Sequence, residues 1–205
     1  MNEIASSSSE QTKILAEVAH DLANRFHRFY YFAEILTRLM PAESGEARDY
    51  LDRANHTVEE IEAMTRRALA YLRPMELRTV RVHVRDVVGS LRQHIGDRPL
   101  AVTGLEEAVG VPVDVDPTRM GEALANVCAA ALAQSPETSP LQVTVRVGAE
   151  VLLGFSVRSE AEPQPFEFDL SLALAAKILR LHGGDLDIAA SPPVLTVRLL
   201  LAGKE

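Results

Sequence analysis

One short stretch of the chain gathers residues that could move a phosphoryl group. His20, Asp21 and Asn24 fall within little more than a turn of one predicted helix, with Arg25, His27 and Arg28 close behind. A heptad written from Leu15 puts His20 at an f position, opposite the a/d seam, with its ring toward solvent. A solitary exposed histidine is ordinarily a solvated helix residue, but the surroundings of this one favour more. Asp21 follows directly, and Asn24 lies at i+4, within reach of the ring or of whatever the ring holds. A carboxylate bonded to one ring nitrogen fixes the tautomer and leaves the other nitrogen's lone pair free, as a phosphoramidate-forming histidine requires. Arg25 and Arg28 flank the site and suit a phosphoryl oxygen or an acidic partner surface. Arg25 is also the one polar d residue, so a role in setting helix register stands beside the phosphoryl role. His27 is the next f position, with no acidic residue after it. A second acceptor is conceivable there, and a solvated surface role is favoured.

Long helices must carry these residues. The a positions are Leu15, Leu22, Phe29 and Leu36; the d positions are Val18, Arg25, Phe32 and Leu39. All but Arg25 are apolar, the pattern of a bundle seam. Pro41 stops the helix, Ser44 and Gly45 make a turn, and a second amphipathic helix runs from about Glu46 to Leu72. Its apolar positions are Leu51, Ala54, Val58, Ile61, Ala68 and Leu72. Two helices joined this way form an antiparallel hairpin that buries little surface alone. The expected remedy is a homodimer, a four-helix bundle built from two copies.

The pattern changes after Arg73-Pro74. A helix is predicted from His83 to Ile95, with strands over Leu100–Leu105 and Val111–Val115. Asp116-Pro117 is an N-cap followed by proline at N1, opening a helix to about Gln134. Gln142–Val147 and Val151–Val157 alternate as a hairpin around Gly148–Glu150. Asp169 caps a helix through Leu181 that ends at Gly183-Gly184, and Leu186–Ala189 and Val194–Leu200 form a last strand pair. The expected organisation is a flexible N-terminus (1–10), a helical hairpin (11–73) and an α+β sandwich (76–205). In that sandwich a mixed sheet is covered on one face by helices.

Composition sets outer limits. The 205 residues are 47% apolar and 24% charged, so neither a disordered tail nor a disulfide scaffold fits. Lys and Arg number 21 against 29 Asp and Glu, net −8, which argues against a nucleic-acid partner. No apolar run approaches the roughly 20 residues of a membrane span, and Met1–Glu10 is polar without the layout of a secretory signal. The lone Cys128 sits in an Ala-rich helix as a small core residue, and a single cysteine suits a reducing, cytoplasmic compartment. His83 and His94 read as surface or helix-terminal, His182 suits its helix C-terminus, and the histidines show no metal-ligand spacing.

The run Ala19-His20-Asp21-Leu22-Ala23-Asn24 resembles the H-box of the dimerisation and phosphoacceptor domain of two-component histidine kinases. Asp116-Pro117-Thr118-Arg119-Met120-Gly121-Glu122-Ala123-Leu124-Ala125-Asn126 resembles the approach to their N-box helix. Leu172 to Gly184 resembles the helix and turn after their G2 glycines. Three departures accompany these matches. The second N-box asparagine, which would hold Mg²⁺ on the phosphates, is Ala130 here. The strand end that would carry the G1 Asp and glycines reads Arg158-Ser159-Glu160-Ala161-Glu162. The G2 lead-in, Phe166-Glu167-Phe168-Asp169-Leu170-Ser171, has no glycine, and the loop before it is short and contains Pro163 and Pro165. Backbone that cradles a phosphate needs glycine and positive partial charge, whereas this segment offers bulk and Glu160, Glu162 and Glu167.

Keeping the acceptor and losing the nucleotide boxes resembles the dimeric histidine phosphotransferases of bacterial phosphorelays. That resemblance implies that His20, supported by Asp21 and Asn24, takes a phosphoryl group from one response-regulator receiver domain and passes it to another. It also implies Mg²⁺ supplied by the receiver, no metal or ATP of the chain's own, and room for a hybrid histidine kinase among the partners, with the direction of flux left open. Two other readings compete: a non-enzymatic pseudokinase that scaffolds or inhibits a receiver or kinase, and an active histidine kinase with a divergent nucleotide site.

Overall fold

A computed structural model describes residues 2–41, 45–134, 139–157, 169–190 and 193–202. The chain divides into two compact units between Met75 and Glu76.

The first unit is two long helices, α1 (Asn2–Leu39) and α2 (Gly45–Leu72). Helical backbone begins at Asn2, ahead of the Gln11 start that apolar periodicity marks, and takes in Ser6–Ser9. The helices meet along only part of the apolar stripe. Leu15, Ala19, Leu22, Phe26 and Phe29 are half-buried and Ala33 is buried, which makes the contact face a mixture of a and e positions. The d row lies outside it: Val18, Phe32 and Leu39 are exposed, as is Leu36. On α2 the half-buried stripe is Leu51, Asn55, Val58, Glu62, Thr65 and Leu69, a heptad with polar members. The predicted contacts Ala54, Ile61 and Leu72 are exposed instead. One partner helix subtends too narrow an arc to cover a stripe this wide. A hydrogen bond from Tyr30 Oη to Glu62 Oε2 (3.0 Å) ties the two helices, and Arg66 pairs with Glu62 (3.1 Å).

The second unit holds the core. Strand β1 (Val80–His83) leads into α3 (Val84–Ser90) and a 3₁₀ turn, Leu91–Gln93. Then follow β2 (Leu100–Thr103), β3 (Pro112–Val115), α4 (Pro117–Leu132), β4 (Leu141–Val147), β5 (Glu150–Val157), α5 (Leu170–Leu181), β6 (Asp185–Ala190) and β7 (Pro193–Leu200). Five strands form a mixed sheet in the order β2-β4-β5-β7-β6, with β2 parallel to β4 and the other pairs antiparallel. Separately, β1 pairs antiparallel with β3. Periodicity predicts a helix from His83 with no strand before it, whereas the helix starts at Val84 and His83 closes a strand. Val80 to His83 is a short alternating run that merges into the apolar pattern of α3, and its strand character comes from pairing with β3.

Alternation along the sheet sends Leu141, Val143 and Val145, Val151, Leu153 and Phe155, and Leu195, Val197 and Leu199 to one buried face. Helices α4 and α5 cover it with Leu124, Val127, Cys128, Leu172, Ala175, Ile178 and Leu179. Both helices start at acidic caps, Asp116 Oδ1 accepting from Arg119 N (3.0 Å) and Asp169 Oδ1 from Leu172 N (2.9 Å). Helix α5 stops where Gly183 takes φ +76°. At Gly184 a Cβ would collide with the Arg198 carbonyl, so only glycine lets the chain turn onto β6 so close to β7.

Candidate functional site

Helix α1 presents one exposed polar row. His20, Asn24, His27 and Tyr31 follow at i, i+4, i+7 and i+11, and all are exposed. Asp21, Arg25 and Arg28 are exposed as well. The row lies well away from the Val18–Phe32–Leu36 row, since successive residues turn about 100° round the helix. His20 therefore stands open to an incoming group. Below it, between α1 and α2, a groove of about 180 Å³ is lined by Ala19, Leu22, Ala23, Phe26, Thr65 and Leu69 among others.

The hydrogen bonding around the histidines differs from the sequence expectation. No side-chain bond joins Asp21 or Asn24 to the His20 ring among the described residues. A carboxylate one residue on projects about 100° round the helix, away from the imidazole before it. The histidine with a bonded ring is His27, whose Nδ1 lies 2.7 Å from the Ala23 carbonyl. Arg25 sits exposed in the apolar d row, and Arg28 is exposed on the flank; neither is drawn to the His20 ring.

The second unit departs from a nucleotide site at two described places. On α4, Asn126 is half-buried and Ala130, one turn on, offers no ligand. In the first turn of α5 the Leu172 amide is taken by the Asp169 carboxylate, which sets a negative charge at that helix start. The strand end Arg158–Glu162, Pro163, Pro165 and the Phe166–Phe168 lead-in lie outside the described residues. No three His, Cys, Asp or Glu side chains converge as metal ligands among the described residues.

What the second unit does contain is a buried polar joint that linear reading misses. His182, at the C-cap of α5, accepts from the Asp116 backbone N–H at Nε2 (2.9 Å), and its Nδ1 lies 2.8 Å from the Ile178 carbonyl. The Asp116 carboxylate also accepts from Arg78 N (2.8 Å). Backbone N–H bonds from Arg78 and Arg119 hold the Asp116 carboxyl below the usual carboxylate range. His182 thus joins the end of α5 to the start of α4, more than a favourable dipole interaction alone. Asp116-Pro117 flagged the cap, but nothing in sequence links residues so far apart. Burial pushes the Cys128 thiol up to about 12, so it is inert core. His83 ends β1 and lies 3.7 Å from Asp86.

With this geometry in place, the fold has clear counterparts. The chain is similar to the histidine kinase ThkA, solved in complex with the response regulator protein TrrA: 16% identity, TM-score 0.62, 95% of this chain and 63% of that one. It is similar also to the Acinetobacter baumannii histidine kinase AdeS: 14% identity, TM-score 0.57, 90% of this chain and 98% of that one. The fold is therefore histidine-kinase-like, and the chain spans about 63% of the ThkA chain. Neither a protein-family model nor a curated protein sequence matches it. No helix among the described residues is long and apolar enough to cross a membrane.

Proposed function

We propose that the chain is a histidine phosphotransferase of a two-component phosphorelay, working through His20 and without ATP. His20 attacks the phosphoaspartate of a receiver domain: the new bond forms from imidazole nitrogen to phosphorus, and the aspartate carboxylate leaves. The group then passes to the aspartate of a second receiver. The receiver's Mg²⁺ neutralises the phosphoryl oxygens, Asn24, Arg25 and Arg28 lie where they can meet that group or the receiver's surface, and the chain contributes positioning. Asp21 acts from outside hydrogen-bond range as a nearby negative charge.

The observation that carries this reading is an exposed, unbonded imidazole on a hairpin helix of a histidine-kinase-like fold. Ala130 and the capped start of α5 support a phosphoryl source other than a bound nucleotide. Val18, Phe32, Leu36 and Leu39 on α1, with Tyr50, Ile61 and Met64 on α2, support a homodimeric four-helix bundle, because each is at least 43% exposed in the single chain. A cytoplasmic location follows from receiver partners. One observation favours the scaffold alternative: neither Asp21 nor Asn24 makes a hydrogen bond to the ring of His20. Incubation with phosphorylated receiver domains separates the two. Acid-labile label mapped to His20 in the wild type, and absent from position 20 in His20→Ala, is expected for transfer, and binding without label for a scaffold.

A further inference from the structure

His27 is the residue that the proposed relay leaves unused, and its ring is the better prepared of the two. A carbonyl oxygen can only accept, so the 2.7 Å contact to Ala23 requires that Nδ1 carry the proton. The neutral ring then has its lone pair on Nε2, and the residue is exposed. This is the tautomer that an attacking imidazole needs, set by the helix's own backbone without any acidic neighbour. His20 and His27 stand one heptad apart on the same exposed row, with Asn24 a turn from each. The apolar row that supports dimerisation turns away from both.

We propose that His27 is a second phosphoryl acceptor, taking the group at Nε2 from an acyl phosphate such as a receiver's phosphoaspartate. The donor class rests on the relay reading above; the nucleophile does not. The Nε2 lone pair forms the N–P bond, the P–O bond to the aspartyl carboxyl breaks, and its electron pair leaves with the carboxylate. The ring keeps its Nδ1 proton and gains positive charge, which the Ala23 carbonyl meets through a bond that strengthens as the charge develops. Seven residues of helix span about 10.5 Å, too far for one in-line transfer between the two rings. Each therefore receives its group separately, from a donor docked in one of two registers along α1.

Phosphoramidate, a small phosphoryl donor for histidine, tests the nucleophile without a receiver. His56 is an exposed internal standard of the other kind, its Nε2 lying 3.4 Å from Glu60. Site-mapped mass spectrometry of the full chain is expected to show His27 labelled at least ten-fold faster than His56, in wild type and in His20→Ala alike. Labelling of His27 at or below the rate of His56 overturns the proposal. In a parallel arm with phosphorylated receiver, His20→Ala is expected to retain label at His27 and His20→Ala/His27→Ala to lose it. Label on wild type but none on His20→Ala overturns His27 as an acceptor while the relay through His20 stands. No receiver-derived label on any chain overturns the relay and this donor class with it, and the phosphoramidate rates then decide the nucleophile alone.

Discussion

The two units solve the problem of burial differently. From Val84 to Leu199 the second unit buries an apolar core in which Leu124, Leu141, Leu153, Phe155, Ile178, Leu179 and Leu195 are fully covered. In the hairpin, Ala33 is the one buried apolar side chain among the described residues, and α2 has none. Large apolar side chains such as Phe32 (59% exposed) and Leu39 (74%) lie open instead. The difference teaches that the second unit covers its own apolar face, while the hairpin of the single chain leaves a wide apolar stripe open. A site on the hairpin is therefore backed by far less packing than one on the second unit would be.

Substitutions can break this contrast. Phe155→Ala should cost about 4 kcal/mol in denaturant unfolding, by lost transfer energy and a residual cavity. Phe32→Ala, by comparison, should change the unfolding of dilute monomer by well under 1 kcal/mol. If a second copy covers the d row, Phe32→Glu should raise the dimer Kd about 100-fold, near 2.7 kcal/mol, in sedimentation analysis. It should leave the main unfolding transition in place; an unchanged Kd would remove the d row from the interface.

Asp116→Ala should cost about 2 kcal/mol, since it removes an N-cap and the acceptor for Arg78 N. Its pH dependence has a definite sign. The folded pKa is lowered, so the stabilisation is present above the ordinary carboxylate pKa and is lost as pH falls through the depressed folded value. Wild type and variant should thus differ by a constant amount at neutral pH and converge in acid. The smallest effect should be Tyr30→Phe, about 1 kcal/mol or less, because the bond to Glu62 is the one link it removes at a partly solvated site. A loss as large as that of Phe155→Ala would mean that the hairpin is not the weakly buried partner described here.

Features set by local pattern were legible. Helices α1 and α2, the caps at Asp116 and Asp169, the Gly183-Gly184 stop and the β4–β5 and β6–β7 pairs all follow from periodicity or turn chemistry. Features set by distant pairing were not. β1 needs β3 to be a strand, β2 reaches β4 in parallel, and His182 meets Asp116 only when the sheet brings α5 beside α4. At the candidate site the exposed row was legible, because it rests on helical spacing alone. Its bonding was not: the acidic residue beside His20 is turned away from the ring, while His27 uses a backbone carbonyl that no side-chain motif announces.

The most direct measurement compares two phosphoryl donors on the same chain. Wild type and His20→Ala are each given γ-labelled ATP with Mg²⁺, or a labelled phosphoreceiver, and acid-labile phosphate is mapped by residue. The expected result is label at His20 from the phosphoreceiver, with none from ATP. Label at His20 from ATP, or equal receiver-derived labelling of wild type and His20→Ala at positions other than the two α1 histidines, would contradict the proposed relay.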